Sequence, residues 1–168
     1  MTRLDCIWNG WRSQYVNEAG ERDADVGGSV FTKILASGMP DEEAHIVRRG
    51  PLTFAILNAF PYTSGHLMVL PYREVGALEA LTEQEAAELW PMVTDAVLAV
   101  KAAYRPGGVN VGINLGRAAG GSIAEHLHVH VVPRWTGDGN FMTAVAEART
   151  LPEPLSLSAG KLRAAWPS

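Results

Sequence analysis

Apolar residues in this chain follow two rhythms, one of strands and one of helices. Between residues 44 and 72 they come in short dense runs. "AHIVRRG" and "LTFAILNAF" read as two strands parted by Gly50-Pro51, a hairpin junction, and "GHLMVLPY" reads as a third, bounded by Gly65 and Pro71. Ahead of them, "SVFTKILASG" (29–38) spaces Val30, Phe31, Ile34 and Leu35 as a helix does, with a serine to start it and a glycine to stop it. The clearest helix covers 82–104, where Thr82 and Glu85 have capping-box spacing and Leu89, Val93, Val97, Val100 and Tyr104 form an apolar stripe. Pro91 inside it lacks an N–H and crowds the preceding turn, which predicts a kink or a break. "GGVNVGINLG" alternates Val109, Val111 and Ile113 with Asn110, Gly112 and Asn114, the period of a half-buried strand. "EHLHVHVVPRW" (125–135) follows as a fifth strand and "LSLSAGKLRAAW" as a short closing helix. Three strands, a long helix and two more strands predict an α+β fold with a roughly five-stranded, mostly antiparallel sheet.

The flanks differ from this middle. Residues 1–28 are polar and tryptophan-bearing, show no strong period and end in the link "DADVGG". The expected division is therefore an N-terminal extension (1–28), a domain (29–142) and a C-terminal helical extension (143–168) packing on that domain.

Composition narrows the functional classes. With 168 residues the chain has enough sequence for one well-packed core, and a net charge of −4 argues against a broad nucleic-acid footprint. Cys6 is the only cysteine, which excludes an internal disulfide and suits a reducing compartment. No uninterrupted apolar run reaches membrane-spanning length, and "MTRLDCIWNGW" has no signal-like apolar stretch. The expectation is a soluble cytoplasmic protein with no membrane and no nucleic-acid partner.

The candidate chemistry sits in the fifth strand. His126, His128 and His130 are three of only five histidines, placed at every second position where a buried strand normally carries valine. On a strand they project from one face, while Leu127, Val129 and Val131 point to the other. Purely structural use is disfavoured, because each buried imidazole left unsatisfied costs about 1–3 kcal/mol. A metal site is a second reading, but the outer pair lie roughly 13 Å apart at strand rise, too far to share one zinc. The third reading is nucleophilic catalysis by the middle histidine. A neutral imidazole attacks phosphorus well near neutral pH, and flanking imidazoles disfavour extra charge on it while offering N–H donors to phosphoryl oxygens. Neither G-x-x-x-x-G-K-[ST] nor G-x-G-x-x-G occurs, so the usual phosphate-cradling loops are absent.

"HLHVHVV" (126–132) resembles the signature of the histidine triad superfamily. "FAILNAFPYTSGHLMVLPYR" (54–73) is similar to that family's strand-turn-strand segment, with Asn58 eight residues before His66. "PRWTGDGNFM" and "IWNGWRSQYV" look most like the bacterial diadenosine tetraphosphate phosphorylase/hydrolase group within the fragile-histidine-triad branch. The resemblance implies nucleotidyl transfer in two steps through a nucleotidyl-histidine formed at the α-phosphorus. His128 is then the nucleophile, and the carbonyl of His126 accepts its Nδ1–H. His130 and His66 line the phosphate site, Asn58 binds the ribose hydroxyls and Asn114 contacts the phosphates or the nucleophile. "GGS" (120–122) precedes the triad, where Gly121 lets backbone N–H groups approach a phosphate and Ser122 offers a hydroxyl. A small residue there leaves room for inorganic phosphate as second substrate.

Two further activities are compatible with the resemblance: adenosine phosphoramidate hydrolysis, and nucleotide-binding regulation with incidental turnover. A homodimer is implied. No tightly bound cofactor is expected, and any magnesium enters with the substrate. Many bacterial relatives carry a zinc-binding Cys-x-x-Cys where this chain has Ser29 and Thr32, so no metal site is expected here and His45 becomes a surface or strand histidine. Trp8, Trp11 and Trp135 are expected as core or interface aromatics, Arg134 as a solvated cation, and Asp138-Gly139 as a turn.

Overall fold

A computed structural model of the chain describes residues 27–139 and 153–168. Five strands form one sheet: β1 (Ile46–Arg49), β2 (Thr53–Leu57), β3 (Leu67–Pro71), β4 (Gly108–Ile113) and β5 (Val129–Arg134), in the order β1-β2-β3-β5-β4. Every neighbouring pair is antiparallel. The helices are α1 (Val30–Ala36), α2 (Asp41–Ala44), α3 (Glu83–Tyr104) and α4 (Leu155–Ala165). Trp8, Trp11, Cys6 and the "NFM" half of the 133–142 likeness lie outside the described residues.

Central strands β2 and β3 are buried along their whole length, because both faces of the sheet are covered. On one face Ala55, Leu57, Leu67, Val69, Leu127, Val129 and Val131 pack with Leu89, Val93, Ala96 and Val100 of α3, and with Ala159 and Leu162 of α4. On the other, Phe54, Ile56, Met68 and Leu70 pack with Phe31 of α1 and with Ala44. At about 25 cal/mol per Å² of apolar surface removed from water, these two layers supply the main driving force of folding.

Helix α3 starts at Thr82 with the capping box in place: Glu85 N–H donates to the Thr82 hydroxyl and Thr82 N–H to the Glu85 carboxylate. The same carboxylate takes two hydrogen bonds from Arg73, which hold it down at a pKa of about 2. Of the expected kink or break, the break does not occur: the helix is continuous from Glu83 to Tyr104 with Pro91 inside it. Pro91 and Ala87 are both exposed, so the Ala87 carbonyl left without its partner faces water, and the packed opposite side outweighs a penalty of about 3 kcal/mol. The buried stripe is also broader than expected. Ala96 and Ala99 are fully buried, whereas Val97 and Tyr104 are only partly so.

Two other expectations fail at the sheet edge and at the triad. Val111 does not share a half-buried face with Val109 and Ile113; it is 44% exposed, because β4 is an edge strand. The ladder of β5 begins only at Val129, so His126, Leu127 and His128 are an approach to the strand and not part of it. Among the described residues no helix is long and apolar enough to cross a membrane.

Candidate active site

The histidines emerge on the face of the sheet that carries α1. His130 pairs across the sheet with Met68 of β3 and Gly112 of β4. Met68 belongs to the smaller apolar layer, while a Cβ added at Gly112 would meet open space. The sheet is therefore unfilled beside His130. Phe31 of α1 stands at the other side, its ring centroid 5.4 Å from His126 and 5.5 Å from His128. His128 lies between, 4.8 Å from His130 ring to ring.

Hydrogen-bond partners assign the protons in this row. Nδ1 of His128 is 2.8 Å from the carbonyl of His126. A carbonyl only accepts, so His128 carries its proton on Nδ1 and keeps a lone pair on Nε2. His66 receives the N–H of Tyr62 on Nδ1 (3.1 Å), so its proton is on Nε2, which faces Nδ1 of His130 at 3.0 Å. His130 must then accept on Nδ1 and hold its proton on Nε2, a buried atom with no hydrogen-bond partner among the described residues. The result is a bare lone pair on His128 beside a bare N–H on His130.

Electrostatics favour the neutral forms this scheme needs. Burial lowers the pKa of His128, against the supporting effect of the His126 carbonyl, and the neighbouring His126 lowers it further. His130 is held down to about 4, first by burial and then by His128. His126 is lowered as well, mainly by burial.

Asn58 is half-buried beside His66, its side-chain nitrogen 3.5 Å from Nδ1. Its side-chain oxygen accepts the N–H of Phe60 at 2.9 Å, so the residue also builds the turn after β2. Asn114, Gly121 and Ser122 make no hydrogen bond to the histidines among the described residues. The N–H of Gly121 donates to the Gly116 carbonyl at 3.3 Å, and a Cβ there would press on the carbonyls of Gly116 and Asn114 at 3.1 and 3.3 Å. Close backbone packing, and not a free N–H, is thus what this glycine provides. Arg134 is not simply solvated: it pairs with Asp138 and donates to Asn110.

Three partners of the row escape sequence inspection. The Pro71 carbonyl and the Ser29 hydroxyl hold the two nitrogens of His126, and Tyr62 sets the tautomer of His66. Ser29 is recognisable from sequence as a helix start and as the residue standing where the family resemblance places a zinc-binding cysteine, and a backbone group leaves no sequence signal.

A zinc ion does not fit the residues at Ser29, Thr32, His45 and His126. Two hydroxyls stand in place of thiolates, and the His126 nitrogen facing them is 2.7 Å from Ser29 Oγ. His45 is not a strand residue; it caps α2 in the left-handed conformation (φ 57°), with Nδ1 buried and without a partner among the described residues. Among the described residues no three His, Cys, Asp or Glu side chains are grouped to hold a metal.

The model of the HIT domain matches residues 40–137. The chain belongs to the HIT domain family. It is 46% identical over 168 residues to the AP-4-A phosphorylase of Mycobacterium tuberculosis, covering 98% of this chain and 85% of that protein. It is 32% identical over 95 residues to the asymmetrical bis(5'-nucleosyl)-tetraphosphatase of Schizosaccharomyces pombe, covering 56% and 52% of the two. Among solved structures, a zinc-bound histidine triad family protein from Mycobacterium smegmatis superposes with a TM-score of 0.66 at 28% identity, over 82% of this chain and 92% of that one.

Proposed function

We propose that this HIT protein is a dinucleoside polyphosphate phosphorylase or hydrolase working through a nucleotidyl-histidine, with phosphorolysis of a diadenosine tetraphosphate-type substrate as the main reaction. The observation that carries the mechanism is the tautomer of His128, whose Nδ1–H is committed to the His126 carbonyl (2.8 Å). Its relatives among phosphorylases and tetraphosphatases support the substrate class.

In the first step Nε2 of His128 bonds to the α-phosphorus and the bond from that phosphorus to the bridging oxygen breaks, releasing ATP. The imidazolium so formed shares its charge through Nδ1–H with the His126 carbonyl. His130 offers its unpartnered Nε2–H to a phosphoryl oxygen, and the open space over Gly112 accommodates the phosphates. In the second step inorganic phosphate takes the adenylyl group and leaves as ADP. The Asn58 amide serves the ribose, and Asn114, Gly121 and Ser122 form the loop beside the acceptor. The protein works in the cytoplasm as a homodimer, any magnesium arriving with the substrate; exposed Val111 on the open edge of β4 suits the dimer contact. Residues 29–142 carry the chemistry, with helix α4 of the C-terminal extension packing on the same core.

Incubation with diadenosine tetraphosphate and phosphate yields ADP and ATP, and mass spectrometry of the quenched reaction places an adenylyl group on His128. Formation of AMP and ATP regardless of phosphate leaves hydrolysis in place of phosphorolysis. An adduct on another residue, or turnover by His128→Ala, overturns the mechanism.

A further inference from the structure

The proposed reaction employs the carbonyl of His126 and gives its imidazole no task; any role for that ring rests on the same reaction. The ring is fully buried and both nitrogens are engaged, Nε2 at 2.8 Å from the Pro71 carbonyl and Nδ1 at 2.7 Å from Ser29 Oγ. Because the Pro71 carbonyl only accepts, Nε2 carries the proton and Nδ1 accepts from the Ser29 hydroxyl. That hydroxyl is itself aimed. It accepts the N–H of Thr32 (3.2 Å), while Thr32 Oγ1 donates to Glu74 at 2.8 Å and the same Glu74 oxygen accepts the N–H of Ser29 at 2.7 Å. Those bonds draw the Glu74 carboxyl below its ordinary pKa, the Ser29 N–H most strongly.

Helix capping accounts for the Thr32 N–H bond, but not for bonds spanning 45 residues to Glu74 and 97 to His126. The need for them arises at the strand boundary. Residues 126–128 precede the β5 ladder, so sheet pairing does not fix the carbonyl of His126. One backbone bond, Leu127 N–H to the Val75 carbonyl, anchors the next residue. A ring clamped between α1 and the end of β3 fixes His126 itself.

We propose that Ser29, oriented by Thr32 and Glu74, is a positioning residue for nucleotidyl transfer: its hydroxyl locks the His126 ring and thereby aims the His126 carbonyl at Nδ1 of His128. The clamp matters most when His128 becomes cationic on bonding to phosphorus, so it acts on kcat and not on substrate affinity.

Ser29→Ala lowers kcat about tenfold or more, as expected when the group that aims the nucleophile is left free to shift, and leaves KM within about twofold. Ser29→Thr, which restores a hydroxyl, recovers most of the rate. Ser29→Gly removes the hydroxyl at a position where helix N-caps tolerate glycine, so it melts near the parent temperature and is as slow as Ser29→Ala. The idea is overturned if Ser29→Gly turns over at the parent rate, or if Ser29→Thr folds normally yet is as slow as Ser29→Ala. Nitrogen-15 spectra of the parent protein supply a test without turnover: His126 must show a bare Nδ1 and a protonated Nε2, and the opposite tautomer refutes the clamp. A parent protein that shows this tautomer but never turns over dinucleoside polyphosphate defeats the proposed reaction, whereas one that turns over with an insensitive Ser29 defeats only the clamp.

Discussion

Nε2 of His66 stands 3.0 Å from Nδ1 of His130, linking the end of the β2–β3 turn to the start of β5. Since the Tyr62 N–H fills the far nitrogen of His66, this contact decides which nitrogen of His130 carries a proton. The His130 N–H that results has no partner among the described residues and sits beside the lone pair of His128. A donor held unpaired in a buried place costs folding energy, and it is useful where negative charge must be received.

The first prediction concerns this coupling. Removing the donor with His130→Ala is expected to reduce kcat about 100-fold or more, in line with loss of one preorganised donor to a developing oxyanion. His66→Ala leaves the donor but frees the His130 tautomer, so a smaller loss of about tenfold is expected. Because His66 acts through His130, the double variant should be no slower than His130→Ala alone. Independent, multiplicative losses in a double-mutant cycle would contradict the relay.

A second prediction concerns pH. In the folded chain His130 has a pKa of about 4, against an ordinary value of 6.5. Between those values the unfolded chain takes up a proton that the folded chain refuses, so acid pulls toward unfolding. The stabilising contribution is intact above about pH 6.5, declines through that window and is spent by about pH 4. His126 and His128 are lowered too and act in the same direction. Thermal melts should therefore fall from about pH 7 to about pH 4.5, and fall less in His130→Asn. In rate profiles, the acid limb of kcat should lie below pH 6.5, since His128 must be neutral to attack. A limb at or above that pH would mean that His128 is not held neutral by burial.

How far the sequence foretells this structure depends on whether the deciding signal is local. Strands β1 to β3 and helix α3 were legible because runs, turn residues and a capping box are written within a few neighbours. The continuity of α3 through Pro91 was not, because it depends on which side of the helix meets water. The triad was legible as an alternation, but its entry into the ladder only at Val129 is set by the limits of pairing with β3 and β4. Asn58 and His66 were pointed to by the family resemblance and not by local pattern, and it is the fold that sets them beside the row of histidines. The use of the Gly121 N–H on Gly116, and of Ser29 on His126, could not be read from the sequence, because each partner is chosen by tertiary folding.

A third prediction falls on Gly76, which carries no motif in the sequence. Residues 74–76 run beside the approach to β5: Leu127 N–H donates to the Val75 carbonyl at 2.7 Å, and a Cβ at Gly76 would run into the Ala124 carbonyl. The obstacle is backbone, so the side chain cannot escape by changing rotamer. Gly76→Ala must push Ala124 and Glu125 away, and His126 follows them directly in the chain. A methyl group forced into a tight contact costs about 1–3 kcal/mol of stability, measurable by urea unfolding. The effect on function should exceed that, because the His126 carbonyl is displaced from His128 in molecules that remain folded. Expected results are a kcat lowered about tenfold or more at a temperature where the variant is fully folded, with nucleotide affinity nearly unchanged. Full activity in Gly76→Ala would show that the approach to β5 tolerates displacement, and that the geometry between His126 and His128 is less demanding than the row of histidines suggests.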